Sequence, residues 1–101
     1  LYDGAIKFCR QARAGFDARK FEESYQNLVR AQKIVLELST SLKHDHAPEL
    51  CGKLSSLYTF IYRKLIDANM KRDPAALDEA LKLIEYERET WQMLMSKATP
   101  G

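Results

Sequence analysis

Apolar residues recur along this chain at spacings of three and four, and no stretch sustains apolar–polar alternation. That is the helical period of about 100° per residue, and it divides into four segments. In the first, about residues 1–16, Leu1, Ala5, Phe8, Cys9, Ala12 and Phe16 share a face. Gly15 and Asp17 weaken that pattern, and a turn is expected from Asp17 to Lys20. The second segment, about residues 21–42, carries the stripe Phe21, Leu28, Ala31, Val35, Leu38 and Leu42. Lys43-His44-Asp45-His46 forms the second turn. Pro48 suits the first turn of a third helix, where its missing N–H is no loss, and the period then continues to about Lys71. Asp73-Pro74 is the clearest boundary, an N-cap followed by a first helical residue. The fourth helix turns Leu77, Ala80, Leu81, Ile84, Trp91 and Met95 inward.

Amphipathic helices joined by short turns pack antiparallel to their neighbours. The expected fold is all-α: one antiparallel up-down-up-down four-helix bundle filling residues 1–101 as a single domain. A stacked helical-hairpin repeat would need a period of about 34 residues, and none is seen.

The third helix holds more apolar surface than one stripe requires. With Leu50 set at 0°, Leu57, Ile61, Leu54, Leu65 and Ala68 fall between about 340° and about 60°, already a full core stripe. Tyr58 follows at about 80°, Asn69 at about 100°, Tyr62 at about 120° and Ile66 at about 160°. The second helix has a similar flank in Tyr25, Val29, Gln32 and Leu36. If the two flanks face one shallow groove, its walls are apolar with polar tips. Tyrosine offers a rigid face and a hydroxyl, and Gln32 and Asn69 can satisfy both donors and acceptors of a peptide backbone. The candidate groove is therefore Tyr25, Val29, Gln32, Leu36, Tyr58, Tyr62 and Asn69, suited to a docked helix or extended peptide. Spacing alone leaves three alternatives open: a peptide groove, ordinary packing of a central helix, and a self-association face.

Composition narrows the function classes. Sixteen basic and fourteen acidic residues leave a net charge of +2, with signs alternating along the chain. A nucleic-acid partner is not expected from that pattern. No apolar run approaches the roughly 18 residues of a membrane span, and the opening Leu1-Tyr2-Asp3-Gly4 is not a basic-then-apolar leader. Cys9 and Cys51 read as reduced thiols in a cytosolic protein. His44, Asp45, His46 and Cys51 match no standard zinc spacing, and no Glu-x-x-His pair or phosphate-binding glycine loop is present. Neither an enzyme nor a metal or other cofactor is expected.

The residues also resemble a known family. Leu-Tyr-Asp-Gly-Ala-Ile at 1–6, Leu-Ser-Ser-Leu-Tyr-Thr-Phe-Ile-Tyr-Arg-Lys-Leu-Ile-Asp-Ala-Asn at 54–69, Arg-Asp-Pro-Ala-Ala-Leu-Asp-Glu-Ala-Leu-Lys-Leu-Ile at 72–84 and Thr-Trp-Gln at 90–92 are similar to the flagellin-specific export chaperones of the FliS family. The resemblance covers essentially the whole chain in order. It implies a cytosolic helical bundle without catalytic activity. Such a bundle binds the disordered C-terminal segment of flagellin, prevents its premature polymerisation and aids delivery to the flagellar type III export gate. Its matched positions are Tyr58, Arg63, Leu65, Asn69 and Trp91, with Leu65 and Trp91 expected in the core. Family members carry a further segment before Leu-Tyr-Asp-Gly that helps cover the bundle. Its absence here implies a more exposed groove and another partner for the free chain, a second copy among the candidates. The alternative function is a self-associating structural bundle that binds no flagellin.

Overall fold

The computed structural model describes residues 1–42 and 48–98, with side chains described up to residue 93. It contains four helices: α1 (Tyr2–Asp17), α2 (Phe21–Thr40), α3 (Pro48–Lys71) and α4 (Pro74–Ala98). Helix α1 packs on α2 and α4, and α3 packs on the same two, so the four stand at the corners of a square with α1 diagonal to α3. This is the antiparallel four-helix bundle the periodicity predicts. The helix boundaries fall within two residues of the sequence expectation. The turn of His44, Asp45 and His46 lies outside the described residues.

Local chemistry explains the boundaries. Asp73 accepts hydrogen bonds through Oδ1 from the amides of Ala75 at 3.0 Å and Ala76 at 3.4 Å, which caps α4 ahead of Pro74. Helix α1 ends in a Schellman motif: the amide of Arg19 donates to the carbonyl of Phe16 at 3.1 Å, and that of Lys20 to Gly15 at 2.7 Å. Helix α3 ends the same way, the amide of Asp73 donating to the carbonyl of Ala68 at 3.0 Å. The residue that turns the chain is Arg in both cases, Arg19 with φ 58° and Arg72 with φ 50°. Glycine is usual there, because a side chain in the left-handed region costs about 1–2 kcal/mol.

The core runs the length of the square. Ala5, Ile6, Cys9, Ala12 and Phe16 enter from α1, Leu28, Ala31 and Val35 from α2, and Ala76, Leu77, Ala80 and Ile84 from α4. Helix α3 contributes Leu54, Tyr58, Ile61, Leu65 and Ala68. Small residues on α1 bring it close to α2, where Ser24 Oγ donates to the Ala12 carbonyl at 2.8 Å. Ion pairs then tie α1 to α4 at its edge, Arg13 to Asp78 at 2.9 Å and Arg88 to Asp3 at 2.5 Å. These edge pairs are partly exposed, so each adds little stability.

Candidate functional site

Tyr25, Val29 and Gln32 of α2 and Ile66, Asn69 and Met70 of α3 enclose a cavity of about 200 Å³ on the outer side of the α2–α3 seam. Asn69 Nδ2 donates to Gln32 Oε1 across it at 3.4 Å. The flanks of the two helices therefore do face each other. They do so because α2 and α3 are sequence neighbours in an antiparallel bundle, so the same side of each stripe meets at one seam. The two amides have donors and acceptors left over after their long mutual hydrogen bond. Around them the wall is apolar: Val29 and Ile66 are half-buried, Tyr25 is half-exposed, and Met70 is 80% exposed.

Of the seven candidate residues, the cavity brings together Tyr25, Val29, Gln32 and Asn69, with Ile66 from the same flank. Leu36 and Tyr62 do not line it. Leu36 sits one turn beyond Gln32 and Tyr62 one turn before Ile66. In antiparallel helices both displacements point toward the α2–α3 connection, so the two extend the same seam.

Tyr58 is placed elsewhere. Only 3% exposed, it is part of the core and shares a hydrogen bond with the Tyr2 hydroxyl of α1. The six buried residues of α3 are Cys51, Leu54, Tyr58, Ile61, Leu65 and Ala68, and on the wheel they centre near about 50°. Leu50, the origin of the wheel and a member of the expected stripe, is itself 49% exposed. Measured from the true centre, Tyr58 is only about 30° off axis, which is a core position, whereas Ile66 is about 110° off.

Tyr58 belongs instead to a polar group in which it and Glu87 are buried and Tyr2 and Trp91 are half-buried. Burial, and then the Tyr58 hydroxyl, push the Tyr2 phenol well above its ordinary range. Burial also raises the Glu87 carboxyl. Of the other family-matched positions, Leu65 is fully buried, Trp91 is half-buried against the core, and Arg63 is exposed.

Met70 was missed in the sequence. It stands four residues after Ile66, and that spacing was the available signal. Among the described residues no group of three or more His, Cys, Asp or Glu could hold a metal. Burial pushes the Cys9 thiol up to about 12, so it is an inert core group. No helix is long and apolar enough to cross a membrane among the described residues.

Fold and seam together define a four-helix bundle with an apolar, amide-tipped groove between two adjacent helices. Residues 1–98 match the family model described as "Flagellar protein FliS", and the chain belongs to that family. The flagellar secretion chaperone FliS of Bacillus subtilis (strain 168) is 33% identical over 92 residues, covering 91% of this chain and 68% of that protein. The flagellar secretion chaperone FliS of Salmonella typhimurium (strain LT2) is 28% identical over 100 residues, covering 98% of this chain and 74% of its own length. That of Vibrio cholerae serotype O1 is 26% identical over 94 residues, covering 93% and 69% respectively. The chain is thus a member of a flagellar secretion chaperone family, built as a helical bundle.

Proposed function

We propose that the chain binds the C-terminal segment of flagellin in the cytosol, holds it from premature polymerisation and helps deliver it to the flagellar type III export gate. The observation that carries this reading is the α2–α3 cavity, in which Gln32 and Asn69 stand between the apolar walls of Tyr25, Val29, Ile66 and Met70. An apolar side chain of the client enters against Tyr25 and Met70. The client backbone exchanges hydrogen bonds with Asn69 and Gln32, whose mutual bond is long and easily replaced. A neighbouring strip through Leu36 and Tyr62 lets the segment continue along the seam.

The energetics suit a carrier. A client that is disordered when free must be ordered on binding, which consumes part of the interaction energy. The complex then shields the client's apolar face, since one face cannot contact both chaperone and another flagellin. It also remains weak enough to release its cargo.

Calorimetric titration with a flagellin C-terminal peptide tests the reading. Saturable one-to-one binding with a negative heat-capacity change is expected. Absence of binding to the peptide and to full-length flagellin would overturn it. Concentration-dependent dimerisation in sedimentation would then favour self-association.

A further inference from the structure

The α2–α3 cavity continues toward the end of the bundle that carries the α1–α2 and α3–α4 turns. Tyr25, Asn69 and Met70 also line a second cavity of about 270 Å³, whose remaining wall is Phe16, Phe21, Glu22 and Arg72. Arg72 is held there with its guanidinium 4.5 Å from the centroid of the Phe21 ring. Arg19 and Lys20 lie in the adjacent turn, and Lys71 precedes Arg72. All four cations are exposed. Among the described residues none of them has a carboxylate in ion-pair range; the ion pairs use Arg10, Arg13, Lys64 and Arg88.

The carboxylates at this end are partly committed. Asp17 is taken by Arg13, and Asp73 caps α4. Glu22 and Glu23 remain in the first turn of α2, and Glu22 accepts from Gln26 at 3.3 Å. Two of the four cations also occupy the left-handed positions where glycine is the more stable choice. A requirement for the turns alone does not explain why Arg stands at both.

We propose that these four exposed cations, none of them in an ion pair among the described residues, dock an acidic stretch of the client polypeptide together with the cavity beside them. Client carboxylates pair with Arg19, Lys20, Lys71 and Arg72, while a neighbouring apolar side chain enters between Phe21, Tyr25 and Met70. The inference rests on the groove function above and adds the chemistry of the segment that occupies this end. Arginine can hold a carboxylate in two parallel hydrogen bonds, and the Phe21 ring already restricts Arg72. Exposed cations without an ion pair, beside a cavity that Phe21, Tyr25 and Met70 line together with Glu22 and Asn69, also draw an acidic segment in before contact and set its direction along the seam.

The test titrates the flagellin C-terminal segment into the wild-type chain, into Arg19→Gly/Arg72→Gly and into Lys20→Glu/Lys71→Glu, at about 50 mM and about 500 mM salt. Both variants are expected to bind about 10-fold or more weakly at low salt, with the difference largely gone at high salt. The glycine pair is expected to melt no lower than wild type, which separates lost binding from lost folding. Carbodiimide coupling followed by mass spectrometry is expected to join Lys20 or Lys71 to client Asp or Glu. Equal affinities of all three chains at both salts would overturn the inference and leave the groove reading standing. No binding by wild type at either salt would overturn both. Cross-links from these lysines to a second chaperone copy would overturn the client as occupant.

Discussion

Gly15 of α1 sits against Ser24 of α2 so closely that a β-carbon built on Gly15 collides with the Ser24 hydroxyl. That hydroxyl is committed, donating to the Ala12 carbonyl at 2.8 Å from a fully buried position. This contact between α1 and α2 therefore depends on a residue that weakens the helical pattern in the sequence.

Gly15→Ala is expected to destabilise the bundle by about 1–3 kcal/mol in denaturant titration, although alanine is the better helix former by about 1 kcal/mol. The clash with Ser24 outweighs the propensity gain. Adding Ser24→Ala should recover part of the loss, since it removes the atom that collides.

The two tyrosines first assigned to one groove should behave oppositely. Tyr58→Ala empties a core position and removes one of the partners of the Tyr2 hydroxyl, so a loss of about 3–5 kcal/mol is expected, read by thermal melting. Tyr25→Ala removes a half-exposed ring and should leave stability within about 0.5 kcal/mol while weakening flagellin-peptide binding about 10-fold or more.

Glu87 links stability to pH. Its carboxyl is raised by burial above the ordinary value of 4.5. The unfolded chain then ionises first as pH rises, so this group's contribution is most favourable below that value. It is lost as pH climbs through the raised folded value. Glu87→Gln is accordingly expected to stabilise the protein at pH 7 relative to wild type, with the difference shrinking toward pH 4, as measured by urea unfolding across that range.

Asp73 caps α4 with two amide hydrogen bonds. Asp73→Ala should cost about 1 kcal/mol in chemical unfolding. Asp73→Asn should cost much less, because the side-chain oxygen remains.

The helices and their order were legible from the sequence, because a three-and-four apolar spacing is the helical period and Asp73-Pro74, ahead of such a spacing, supplies an N-cap and a first helical residue. The pairing of the flanks was also legible: Gln32 and Asn69, on separate helices, do meet. The rotation of α3 was not. Leu50, Leu57 and Ile61 define as good a stripe on paper as Cys51, Tyr58 and Leu65, and only the three-dimensional square decides between them. Near the start of α3 the bundle leaves Leu50 exposed, and Tyr2 of the diagonal helix supplies the hydroxyl that lets Tyr58 be buried. A helical period fixes which residues share a face. It takes the neighbours, and the polar partners they bring across the core, to settle where the centre of that face lies, and so which tyrosine holds the fold and which is left beside the groove.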